Sequence, residues 1–200
     1  MSRGLPIALS LLMFLAGCAG QETRVLKQPG WQAHSAHLQL LDHWIADGKL
    51  ALRTSDRSES ANIRWQQAGA STRLQLSGPM GFNATEIRSN GEQMEMRQGE
   101  TVTNWDISTA DAIERNTGWD LPLQALPYWL KGLPAPDVRI QALELDPGGS
   151  LLSKLQQDGW LVLFERYKQF GDISLPTKLR IQRGTTTARV IIRDWQGLSA

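Results

Sequence analysis

From Trp44 onward, apolar and polar residues alternate with a period of two, and the alternation returns in short bursts almost to the end of the chain. Trp44, Ala46, Gly48, Leu50 and Leu52 are interleaved with Asp47, Lys49 and Arg53. Ala61, Ile63 and Trp65 alternate with Asn62, Arg64 and Gln66, and Leu74 and Leu76 with Arg73, Gln75 and Ser77. Thr85 and Ile87 alternate with Glu86 and Arg88, and Met94 and Met96 with Glu95 and Arg97. Ser55-Asp56, Ala68-Gly69-Ala70, Asn90-Gly91 and Gln98-Gly99 punctuate the bursts with turn residues. Side chains two apart share a face of a strand, so the pattern predicts an antiparallel meander with one wet and one apolar face. Thr101 to Asp106 adds a sixth strand. After a break, Val138-Arg139-Ile140, Leu152 to Gln157, Trp160 to Tyr167, Thr177 to Arg183 and Ala188 to Trp195 supply five more, with Asp158-Gly159 as a hairpin turn.

The period shifts to that of a helix in three places. Trp31, Ser35, Leu38 and Leu41 fall on one face of a helix spanning Trp31 to Asp42. Ser108 to Asn116 reads as a short helix with Ser108 as N-cap, Asp111 in its first turn and Gly118 beyond its end. A third runs near Gln124 to Lys131, with Pro127 in the first turn and Gly132-Leu133-Pro134 as the stop. The last two are too short to stand alone in water, so they must lie on the open apolar face of the sheet. Eleven strands without a long helix to cover them must curl. The prediction is an α+β fold: a curved, incomplete antiparallel β-barrel of about eleven strands, with a lid of short helices enclosing an apolar cavity.

Ahead of the strands stands Arg3 and an almost unbroken apolar run from Leu5 to Leu15. It falls short of the roughly 20 residues that span a bilayer and fits the h-region of a signal peptide. Leu15-Ala16-Gly17-Cys18 follows, and Cys18 is the only cysteine of the chain. It resembles the lipobox of bacterial lipoproteins, in which the cysteine is acylated and becomes the first mature residue. A lone thiol in an exported protein has no internal partner, which agrees with that use. The expected organisation is therefore a signal peptide over residues 1–17, a lipidated N-terminus and flexible tether over 18–30, and a single binding domain over 31–200. A tether of about ten extended residues reaches about 33–36 Å.

Composition narrows the function. The 21 Lys+Arg and 20 Asp+Glu become equal once Arg3 leaves with the leader, and no basic excess points to nucleic acid. Eight tryptophans point either to a Trp-rich core or to rings lining an apolar cavity. No nucleophile elbow, phosphate loop or dinucleotide fingerprint occurs, and no carboxylate pair demands a catalytic role. His34 and His37 lie one helical turn apart, but no familiar set of further ligands accompanies them, so they are read as a solvated helix face rather than a metal site. No cofactor is expected. The turn Gly78-Pro79-Met80-Gly81-Phe82 displays Met80 at its tip with Phe82 beside it, where a large apolar residue serves only by folding back onto the core or by meeting lipid or a greasy partner.

These residues together resemble the LolB family of outer-membrane lipoproteins. The likeness is carried by the lipobox, Ile63-Arg64-Trp65-Gln66-Gln67, the Pro79-Met80-Gly81 loop, the segment from Asn116-Thr117-Gly118 to Trp129-Leu130-Lys131-Gly132-Leu133-Pro134, and Asp194-Trp195. It runs in order over essentially the whole mature chain. The resemblance implies a monomeric, non-enzymatic receptor, lipid-anchored at the inner leaflet of the outer membrane and facing the periplasm. Such a receptor accepts acylated lipoproteins from the periplasmic carrier LolA and inserts them into the outer membrane. It makes Pro79, Met80, Gly81 and Phe82 the membrane-insertion loop, with Met80 where the family commonly has Leu. Ala19 after the cysteine, rather than Asp, is similar to an outer-membrane sorting signal. The acyl-chain cavity is expected to draw on Leu50, Leu52, Ile63, Trp65, Leu74, Leu76, Ile87, Met94 and Met96 of the sheet and Trp119, Leu126, Trp129 and Leu130 of the lid. Two other readings compete: an anchored carrier of other lipids or hydrophobic small molecules, and an anchored hydrolase.

Overall fold

A computed structural model describes residues 28–78, 84–106 and 121–199. A helix, α1 (Pro29–Leu40), leads into six strands: β1 (His43–Arg53), β2 (Ser58–Ala68), β3 (Ser71–Ser77), β4 (Thr85–Ser89), β5 (Gln93–Gln98) and β6 (Thr101–Asp106). A one-and-a-half-turn helix, α2 (Leu126–Lys131), precedes β7 (Ile140–Leu145), β8 (Leu152–Gln157), β9 (Trp160–Phe170), β10 (Ile173–Arg183) and β11 (Thr186–Ser199).

All eleven strands form one antiparallel sheet in the order β6-β5-β4-β3-β2-β1-β11-β10-β9-β8-β7. Each half of the chain is a meander, and the halves join where β1 takes β11 as its second neighbour. The outer strands β6 and β7 do not pair with each other, so the curved sheet stays open, an incomplete barrel. Its inner face carries the core, with Trp44, Ala46, Ile63, Trp65, Leu74 and Ile87 from one half and Leu155, Val162, Leu179, Ile181, Val190 and Trp195 from the other.

Local chemistry explains the turns and the bend. Asp158 and Gly159 both take positive φ, at 51° and 71°, as the tight hairpin turn requires. Gly48 sits at a shift in the β1–β11 register, where a Cβ would collide with the Ile191 carbonyl oxygen. Its bare backbone lets the two central strands approach.

Several boundaries differ from the sequence reading. α1 begins at Pro29, two residues before Trp31, because proline is pre-organised for the first helical position; the last two residues of the expected tether are thus helical. β7 starts at Ile140, so Val138 and Arg139 lie ahead of the strand, following Asp137 with its φ of 59°. β10 runs from Ile173 through Pro176, whose missing N–H coincides with a register irregularity against β9. The helix expected at Ser108 to Asn116 lies outside the described residues.

Candidate functional site: an apolar cleft under the lid helix

Between α2 and the inner face of β1 to β5 lies a cleft of about 380 Å³, within the range of pockets that hold small organic ligands, roughly 300–1,000 Å³. Its floor is Trp44, Trp65, Leu74, Ile87 and Met94, and its roof is Leu123, Pro127 and Tyr128. Leu41, just past the end of α1, closes one end. The rim is polar, with Gln39, Asp42, Gln67, Thr72, Ser89 and Lys131. Deeper in, a crevice of about 20 Å³ continues between the lid and the centre of the sheet, lined by Leu50, Ile63, Leu121, Leu126, Leu130 and Val190 among others.

The lid is held by packing and by one polar clamp. Trp129 and Leu130 are both 1 % exposed, and the Trp129 ring lies 6.3 Å from that of Trp160. Gln157, fully buried, accepts hydrogen bonds from Trp129 Nε1 and the Ala135 amide, each at 2.9 Å. Its own amide donates to the carbonyls of Ala135 at 2.8 Å and Val138 at 3.0 Å. One side chain thereby satisfies the buried groups of the lid helix and of the segment that follows it. Gly132, with φ at 86°, supplies the left-handed cap that ends α2.

At the rim, Lys131 Nζ donates to the carbonyls of Leu38 at 3.1 Å and Leu41 at 2.6 Å, capping the C-terminal end of α1, where a cation suits the helix dipole. Burial pushes its pKa down to about 8, opposed by the charge of Asp42. Gln67 accepts hydrogen bonds from Trp65 Nε1 and Thr72 Oγ1 and donates to the Gly69 carbonyl. The Trp65 ring thus shows the cleft a hydrocarbon face while its N–H is satisfied. Trp44 lies between Trp65 and Trp195, with centroid distances of 6.2 and 5.2 Å. Both expectations for the tryptophans hold together, since these rings build the core and two of them pave the cleft. The site offers rings, hydrocarbon and a polar lip, an arrangement that shelters an apolar chain and places a polar head outside.

Of the residues named from sequence, Trp65, Leu74, Ile87 and Met94 line the cleft, and Leu50, Ile63, Leu126 and Leu130 line the crevice, which Trp65 and Leu74 also reach. Leu52, Leu76 and Trp129 are buried and Met96 half-buried, but they line neither space. Cys18, the loop residues Pro79, Met80, Gly81 and Phe82, and Trp119 lie outside the described residues. Sequence reasoning missed Leu41, Trp44, Leu123, Pro127, Tyr128 and the polar rim. Trp44 carried a signal, as the first inward residue of its strand; the rim carried none. The solvated helix face expected for the histidines is corrected at His34. It is half-buried, with Nε2 enclosed and unpartnered, and its pKa is lowered by burial and then by His37, against Asp146. Among the described residues no three His, Cys, Asp or Glu side chains gather as a metal site would need.

A family model described as outer membrane lipoprotein LolB matches residues 42–195. The chain is 34% identical over 194 residues to the outer-membrane lipoprotein LolB of Cellvibrio japonicus, covering 95% of each. It is 34% identical over 197 residues to that of Chromohalobacter salexigens, covering 96% of this chain and 90% of the other. A solved structure of a LolA superfamily protein from Nitrosomonas europaea superposes with a TM-score of 0.59 at 7% identity, covering 84% of this chain and 94% of that one. That likeness is one of fold.

Proposed function

The chain belongs to the LolB family of outer-membrane lipoproteins, and from that premise we propose that it accepts acylated lipoproteins from the periplasmic carrier LolA and delivers them into the outer membrane. The cleft of about 380 Å³ between lid and sheet is the observation that carries this reading. In it, the acyl chains of the cargo lie against Trp65, Leu74, Ile87 and Met94 while the polypeptide stays at the polar rim. Cys18 bears the anchor that keeps the domain at the membrane, and the single domain acts as a monomer.

The energetics require such a shelter. At about 0.8 kcal/mol per buried methylene, a chain of some 16 carbons is worth about 12 kcal/mol out of water. A multiply acylated protein does not cross an aqueous space bare. The chain shows no nucleotide-binding fingerprint, so direction comes from differential affinity: the carrier binds less tightly than the receptor, and the receptor less tightly than the bilayer. The crevice beneath α2 is narrow, so a full-length acyl chain enters as the lid lifts from the sheet. The loop Pro79-Met80-Gly81-Phe82 performs the release step, Met80 entering the lipid as an unbranched apolar residue of the right bulk.

The test is a transfer assay with an acylated lipoprotein held on LolA and the receptor in vesicles. Met80→Glu is expected to take cargo from the carrier normally yet stall its release into lipid, and Met80→Leu to behave as the parent. Insertion by Met80→Glu at the parent rate sinks the role of the loop. Failure of the parent protein to take cargo from the carrier sinks the receptor reading as a whole.

A further inference from the structure

The face of the sheet turned away from the cleft carries a segregated field of positive charge. Directly paired residues of antiparallel strands share a face, and the register places Lys49, Ile191, Lys178 and Arg166 in one row across β1, β11, β10 and β9. The next row holds Ala51, Arg189, Arg180 and Leu163, and Arg53 opposes Thr187 in the row beyond. Six cations thus share the outer face with Ile191, an isoleucine left 46 % exposed. Glu165 is the acid within the field, bonded to Lys178 Nζ at 2.7 Å and Arg180 at 2.6 Å. Asp47, paired with Arg64, and Asp194 stand at the margin. Arg180 and Arg189 oppose each other directly across β10 and β11, a like-charge juxtaposition that destabilises a bare sheet. In a chain with net charge +1, this is a local excess that the bulk composition conceals.

We propose that this outer face of β1, β9, β10 and β11 docks on an anionic phospholipid surface. Anchorage through Cys18 is part of the functional reading above, and the inference rests on it. The residues between Cys18 and Pro29 span at most about 33–36 Å even when extended, so a charged bilayer is always in reach at high effective concentration. The field is broad: neighbouring strands lie about 4.8 Å apart, and the cations are spread over four of them. A diffuse sheet of headgroup charge meets such an array at many equivalent positions, whereas a shaped acidic protein needs recesses. Ile191, in the first row of that field, sits where headgroups give way to acyl chain. Docked this way, the domain turns its cleft from the lipid toward the aqueous side, where a soluble carrier reaches it.

The acylated full chain tests this after intact mass has verified acylation of Cys18. With that thiol blocked, Ile191→Cys provides a unique position for an environment-sensitive fluorophore, read in vesicles of phosphatidylcholine alone or mixed with phosphatidylglycerol. The inference predicts a blue shift on the anionic vesicles only, reversed by high salt. Arg180→Gln with Arg189→Gln, and separately Lys49→Gln with Lys178→Gln, should each lower the docked fraction by about tenfold. An equal shift on both vesicle types, no shift on either, or a shift that requires added carrier protein overturns it. Cargo transfer on the same vesicles is read separately. Docking intact with transfer lost overturns the functional reading and leaves this inference standing; transfer intact with docking lost does the reverse.

Discussion

Lys131 and Tyr167 show how burial writes a pH dependence into single residues. The unfolded chain holds the Lys131 proton up to its ordinary value of 10.5, whereas the folded chain gives it up at about 8. Between those values the unfolded state binds more protons, so stability rises with pH through that window. Burial raises the Tyr167 phenol above its ordinary 10.0, so above that pH the unfolded state loses a proton first and stability falls. Denaturant titrations across pH should show the unfolding free energy climbing from about pH 8 and turning down above pH 10. Lys131→Met should flatten the climb, and Tyr167→Phe should remove the fall. Gln157 makes a different point. Gln157→Leu keeps the bulk but strands Trp129 Nε1 and the polar groups of Ala135 and Val138, and should cost about 3 kcal/mol. A loss below 1 kcal/mol in the same titration would mean that water replaces the clamp.

Among the elements, α2 and β1 behave in opposite ways. α2 has six residues, far fewer than a helix needs to hold itself in water. It exists because Trp129 and Leu130 are docked, and Leu130→Ala should cost about 2–5 kcal/mol. Amide exchange should be faster over 126–131 than over 44–52, since the proposed role has the lid part from the sheet for a long apolar chain to enter; equal protection would argue against an opening lid. β1 is the strand that both halves share, with β2 on one side and β11 on the other. Gly48→Ala sets a methyl against the Ile191 carbonyl and cannot be relieved by a rotamer, so about 2 kcal/mol of destabilisation is expected by thermal or denaturant unfolding.

For the whole molecule, the decisive contact joins the beginning of the sheet to its end. Ala46 pairs with Trp195 and Leu52 with Ala188, and the Trp44 and Trp195 rings meet edge to face at 5.2 Å. Pairing so distant in sequence must close a long loop before it is rewarded. A chain ending at Gly184 lacks β11 and leaves the two meanders unjoined. It should lose the near-ultraviolet tryptophan signal and the cooperative unfolding transition of the parent, and a cooperative transition in that truncation would contradict a single shared core. The architecture also accounts for a cleft on one side and a charged field on the other. A sheet that curls but does not close has a concave face to shelter hydrocarbon and an outer face left to water and charge.

How much of this was legible beforehand depends on the range of the interactions that decide each feature. The count of strands, the wet and apolar faces, the Asp158-Gly159 turn, Pro127 in the first turn of the lid and the Gly132 stop follow from neighbours along the chain. Side-chain period and backbone sterics are local and leave their mark in order. The resemblance to LolB was carried by short motifs of the same kind. The site was legible only as a list of inward residues, because alternation tells which face a side chain takes and not whether anything fills the space above it. That Trp65 and Met94 pave the cleft while Leu52 and Leu76 stand outside it was settled by where α2 lands. The burial of Lys131 against the end of α1, and of Gln157 under the lid, joins residues many positions apart. The opposition of Arg180 to Arg189 needed the register of β10 on β11. Local pattern determined the elements and their faces; only tertiary packing decided which surfaces meet, which stay empty and which charges are forced together.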